Sequence, residues 1–203
     1  DKEYVVSDND IIAHLTDIHY GVDSDNYFNT FNEDELKKRL SRFLDKIFEV
    51  QKRHRSENCY VVIGEIISGL IHNNLRIENN ENVIEQFITV STYISNLLEE
   101  LSKEFREVHV YVTAGNHSRV VANKNDSLAG ENFDYLIPFY TRAKLQNYKN
   151  IFVHDNKIEP SIAMFNVRGN KVMSSHGDKD TPANVVQNFT MMFGIKPDIC
   201  LLG

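Results

Sequence analysis

Five apolar runs in this chain end in glycine or in side chains that bind metals or carry protons, and that repetition restricts the folds open to it. IIAHLTDIHYG, residues 11–21, delivers Asp17 and His19. CYVVIGE ends in Gly64 and Glu65, HVYVTAGNHSR in Gly115, Asn116 and His117, KVMSSHGD in His176 and Asp178, and DICLLG in Gly203. Amphipathic helical stretches separate several of these runs, which argues for a layered α/β core. In a mostly parallel sheet the strand carboxyl ends share one edge, and ligands bind in the crevice outside it. Asp17, His19, Glu65, Asn116 and His176 are therefore expected to converge. Their mixed oxygen and nitrogen chemistry suits Mn, Fe or Zn better than Ca, and more than four ligands points to two ions.

The order Asp-x-His, Gly-acid, Gly-Asn-His and a strand-terminal His resembles the calcineurin-like metallophosphoesterases, over Ile11 to Gly203. The resemblance implies a layered α/β/β/α-type sandwich with mixed sheets and a metal site at the strand carboxyl ends. It also implies a phosphodiester hydrolase with two divalent ions, Mn foremost, with Fe, Zn or Mg as alternatives. Two such ions acidify a water and neutralise phosphate charge. Asp17 and His19 would then hold one ion, Asn116 and His176 the other, with Glu65 bridging. His117 would protonate the leaving alkoxide, and Asp178 would orient a ligand from behind.

The Gly-Asn-His-Ser-Arg segment and the layout between motifs are similar to phage and bacterial DNA-repair exonucleases within that family. DNA is thus the expected substrate and partner, and a small or cyclic nucleotide the alternative. A second alternative is a degenerate module that keeps the fold and binds without catalysis. Two departures support it: Glu65 stands where the family pattern has Asp, and Gly203 stands where a Gly-His-x-His motif would begin. A side chain one methylene longer must fold back to meet the same point, and about 1 Å of misplacement costs on the order of a hundredfold in rate.

A length of 203 residues is that of a single domain, 1–203, expected to be incomplete at its C-terminus. A net charge of −7 argues against a broadly basic surface that coats nucleic acid. No apolar run approaches the roughly 18 residues of a membrane span. Cys59 and Cys200 lie in apolar runs, as buried thiols of a cytoplasmic protein do. A homo-oligomer is left open.

Residues 21–31 are rich in Asp and Asn and are expected as a polar loop. Asn32 with Glu35 fits a capping box opening a helix with the stripe Leu36, Leu40, Phe43, Leu44, Ile47 and Phe48. Lys52 to Arg55 read as cations favouring its C-terminus. Gly69 and His72 follow a ligand-bearing turn, so His72 is a candidate to touch substrate. A long helix is expected from Asn82 to Phe105, burying Ile84, Phe87, Ile88, Ile94, Leu97, Leu98 and Leu101.

Residues 118–132 read as a loop over the cleft, where Arg119 is a candidate phosphate ligand or, equally, a surface ion pair. Residues 133–145 read as a helix limited or kinked by Pro138, with Tyr135, Phe139 and Tyr140 in the core. Arg168 to Lys171 resembles a hairpin turn. Thr181 and Pro182 fit an N-cap and first helical position, opening a helix that stops at Gly194. His14, His54, His109 and His154 lack a partner motif and read as structural.

Overall fold

A computed structural model describes residues 3–73, 77, 79–128, 130–178 and 181–203. Among these, β1 (Ile11–Leu15), β4 (Cys59–Gly64), β5 (Val108–Thr113) and β6 (Ile151–Val153) form one sheet in the order β1-β4-β5-β6, all parallel. In a second sheet β7 (Ala163–Val167) pairs antiparallel with β8 (Asn170–Ser175), and β8 runs parallel to β9 (Ile199–Leu202). The mixed pairing is thus confined to the second sheet. Both sheets aim strand carboxyl ends at the same region, the first through β1, β4 and β5, the second through β8 and β9.

Residue alternation decides the layers. In β4, Val61 and Ile63 join the core against the helices, whereas Val62 and Tyr60 face the other sheet with Phe165, Val167 and Val172. In β8, Val172 points between the sheets and Met173 points outward, against Val185 and Phe189 of α4 (Val185–Phe193). Period-2 side-chain alternation therefore gives each sheet two apolar faces. The result is helices, sheet, sheet, helix, as the resemblance implies.

Helix α1 (Glu33–His54) starts where Asn32 accepts a hydrogen bond from the Glu35 N–H. The reciprocal half of the expected capping box does not form, since the Glu35 carboxylate pairs with Arg39 one turn on. Helix α2 (Val83–Glu104) has the complete capping box between Asn82 and Glu85, and Phe105 is its C-cap. Its buried face differs from the expected stripe: Ile84 and Ile88 are exposed, and Gln86, Val90, Ser91 and Ser95 are buried instead. Residues 133–145 divide into a 3-10 turn, Phe133–Leu136, and helix α3 (Ile137–Lys144). Pro138 lies in the first turn of α3, so it opens the helix rather than kinking it. Phe139 is exposed, contrary to the core reading, while Tyr140 packs against Phe87.

Three further corrections follow from local hydrogen bonding. Residues 21–31 contain a short hairpin of β2 (Ser24–Asp25) and β3 (Thr30–Phe31), with Phe31 buried. The Arg168-Gly169 pair alone makes the two-residue hairpin turn, both with positive φ. Helix α4 begins at Val185, because Thr181 first closes a turn in which its carbonyl accepts the Asn184 and Val185 N–H groups. Gly194 ends α4 in the left-handed conformation, as expected.

Between the sheets, Tyr111 stacks on Phe165 at 4.1 Å and on His154 at 4.6 Å. His109 bridges His154, 3.0 Å away, and Glu107, also at 3.0 Å, so both histidines belong to the packing of this layer. Cys59 is fully buried and its thiol pKa is pushed up by burial.

Candidate metal centre

Asp17 and His19 leave β1 in left-handed backbone, φ 55° and 48°, and Glu65 leaves β4 the same way, φ 48°. A side chain with a Cβ resists that region by about 1–2 kcal/mol per residue. Hydrogen bonds between the two turns hold it in place. The Glu65 carbonyl accepts the Ile18 N–H at 3.0 Å and the His19 N–H at 3.3 Å, and Tyr20 N–H donates to Ile66 O at 2.9 Å. Strain concentrated at a cluster of polar side chains is a mark of a functional site.

Glu65 has no solvent exposure. Its chain folds across Gly115, where an added Cβ would lie 1.6 Å from Oε2, so only glycine leaves room for the carboxylate. Oε1 accepts the His117 backbone N–H at 2.6 Å. Oε2 has no aligned hydrogen-bond donor among the described residues, although His176 Nε2 is 3.2 Å away. Burial, then the neighbouring Asp134 carboxylate, push the Glu65 carboxyl up to about 8, against the pull of the His117 N–H.

The remaining candidates close around this carboxylate. His176 Nε2 is 2.7 Å from Asn116 Oδ1. His19 Nε2 is 3.6 Å from Asp17 Oδ1, and the His19 ring meets the His117 ring edge-on at 4.5 Å. A side chain at Gly203 would strike both Asp17 Oδ2, at 2.9 Å, and His176 Nδ1, at 3.0 Å, so these two lie on either side of it. All six side chains from four strand ends therefore meet.

His117 Nδ1 is 3.0 Å from the Ser68 carbonyl. A carbonyl only accepts, so Nδ1 carries the hydrogen and Nε2 is left for the site. Burial lowers the pKa of His117, offset in part by that carbonyl, and burial with the neighbouring His117 lowers that of His19. Neutral imidazoles beside a buried carboxyl are the donor set that a divalent cation takes. Ligand atoms of His19, Glu65 and His117 lie within 4.8 Å of one another. That grouping includes His117, which sequence reasoning reserves for proton transfer. The orphaned Glu65 Oε2 and the unpartnered His176 Nδ1 likewise fit a bound cation better than an empty polar core.

The outer candidates divide. The His72 ring lies 4.9 Å from that of His117, and the Arg119 charge is close enough to disfavour protonation of His117. Gly69 is also at the site, where a Cβ would clash with the His117 carbonyl at 2.0 Å. Asp178 is turned toward Lys124, 3.6 Å away, and links the loops after β8 and β5. Among the described residues its ion-pair partner is that lysine.

One residue at the site escapes sequence reasoning. Asp134 is fully buried, and its Oδ2 accepts the N–H of Gly115 at 2.8 Å and of Glu65 at 3.2 Å. Nothing in the aromatic run around it signals this, since its partners are backbone groups.

A comparison with protein-family models matches the calcineurin-like phosphoesterase model over residues 11–196. The chain belongs to that family. Its chemistry in general is metal-dependent phosphoester hydrolysis, and the layered sheets fit the family's fold. No curated protein and no solved structure matches the chain. Among the described residues, no helix of this phosphoesterase is long and apolar enough to cross a membrane.

Proposed function

We propose that this phosphoesterase is a phosphodiester hydrolase that uses two divalent ions, Mn foremost, and that DNA is its preferred substrate. The observation that carries the reading is the meeting of Asp17, His19, Glu65, Asn116, His117 and His176 around one buried carboxylate. Asp17 and His19 would hold one ion and Asn116 and His176 the other, with Glu65 between them. When bound, the ions supply a nucleophile at neutral pH and neutralise the phosphate.

The chain's own residues do the rest. With its Nδ1 hydrogen committed to Ser68, His117 faces the site with Nε2, and in its protonated form it would pass the second proton, held at Nε2, to the leaving alkoxide. Arg119 and His72, beside His117, would bind non-reacting phosphate oxygens. Glu65 replaces the family's Asp without leaving the site, because its extra methylene is taken up by folding over Gly115. The preference for DNA rests on the likeness of the Gly-Asn-His-Ser-Arg segment to exonucleases of the family.

Hydrolysis of bis(p-nitrophenyl) phosphate, p-nitrophenyl phosphate, and linear and circular DNA with Mn tests this. The diester and linear DNA should be cleaved and the monoester spared. Preference for the monoester overturns the phosphodiesterase reading, and diester cleavage with inert DNA moves the substrate to a small or cyclic nucleotide.

A further inference from the structure

The turn after β5 is gripped on three sides by residues 132–134. Asp134 Oδ2 accepts the Gly115 N–H, Asn132 Nδ2 donates to the Gly115 carbonyl at 2.7 Å, and the Phe133 N–H donates to the Ser118 carbonyl at 2.8 Å. The same Asp134 oxygen takes the Glu65 N–H from the turn after β4. Asn132 in turn caps the segment, its Oδ1 accepting the Asp134 N–H at 2.9 Å. Thus a single buried carboxylate spans the two turns that carry Glu65, Asn116 and His117. It reaches them through their backbone N–H groups.

We propose that Asp134, supported by Asn132, is a positioning residue of the metal centre, setting the separation of the Glu65 and Asn116-His117 turns. The inference rests on the proposed metal centre. A carboxylate suits this task because it offers acceptors only. The Gly115 and Glu65 N–H groups both meet Oδ2, so an amide keeps them only with its oxygen in that place, and its NH2 then faces the Ser118 hydroxyl and Ile66 N–H that favour the carboxylate. Asp134→Asn therefore displaces a turn without adding or removing volume. Partners behind metal ligands typically change metal affinity by about 10–100-fold when altered.

The test uses the full chain, stripped with chelator and titrated with Mn, with calorimetric binding, thermal melting without metal, and hydrolysis of bis(p-nitrophenyl) phosphate against Mn concentration. Asp134→Asn should move the Mn midpoint up by about 10–100-fold, with lost turnover regained as Mn is raised. A lower melting temperature with an unchanged Mn midpoint would overturn the inference, since a purely structural residue does that. Asn132→Asp keeps the cap acceptor and replaces the donor to Gly115 with a carboxylate oxygen that repels the Gly115 carbonyl, so it carries the test should Asp134→Asn fail to fold. Its Mn midpoint should also rise, and an unchanged one counts against the proposal. Wild-type chain that binds no divalent ion would instead refute the metal centre itself, a result distinct from wild-type binding that the variants leave unaltered.

Discussion

Glu65 Oε2 lies 3.2 Å from His176 Nε2, although the two residues end strands of different sheets. The contact joins the sheets at their carboxyl edge and brings a buried acid to an imidazole nitrogen. Glu65→Gln keeps the shape and the acceptor for the His117 N–H but removes the charge. Calorimetry should find divalent affinity down by about a hundredfold, roughly 3 kcal/mol. Glu65→Asp should lower turnover as well, because the shorter chain no longer reaches across Gly115. Unchanged affinity in Glu65→Gln would remove the carboxylate from the ligand set.

The pH dependence of the metal-free chain has a defined sign. Glu65 is raised from 4.5 to about 8, chiefly by burial, so the folded chain keeps a proton that the unfolded chain releases. Its contribution to stability is complete below 4.5 and is lost as pH rises through 8. Asp134, raised by burial, acts in the same direction. His14, His19, His117 and His154 are lowered by burial and act oppositely, but only below their ordinary 6.5. Between pH 6.5 and 8 the melting temperature should therefore fall without metal and hold or rise with saturating Mn. A metal-free melting temperature that climbs across this window would contradict the burial of an acid at the centre.

Gly115→Ala drives a methyl into the Glu65 carboxylate. Overpacking of this kind costs about 1–3 kcal/mol. Divalent binding should be lost along with that stability, measured by melting and calorimetry on the same sample. Destabilisation with intact binding would show that Glu65 moves freely.

His117→Ala distinguishes proton transfer from ligation. The proposed role predicts that turnover is abolished while bound metal per chain, read by mass spectrometry, is nearly intact. The closeness of His117 to His19 and Glu65 makes the opposite outcome informative. Loss of metal would make His117 a ligand.

Much of this was legible wherever the determining chemistry is local. Helix α2 runs between Asn82 and Phe105 because a capping box and a hydrophobic stripe need only neighbours in sequence. Strand β9 and the Gly194 stop are of the same kind. The exposure of Ile84 and Ile88 was not, since the face a helix buries depends on which elements pack on it. The start of α4 misled for another reason: Thr181 and Pro182 carry helix-opening chemistry, but a turn closes on Thr181 first. At the site, residues in strand-end motifs could be named. Asp134 could not, because it recognises the backbone N–H groups of Gly115 and Glu65, which every sequence contains.

The central claim is that these side chains form a divalent-metal centre, and metal binding by the full chain tests it most directly. Chelator-treated protein titrated with Mn should bind two ions per chain saturably, and Asp17→Ala combined with His176→Ala should abolish that binding while the fold persists. Absence of saturable binding of Mn, Fe, Zn or Mg, or binding that survives the double substitution, would contradict it.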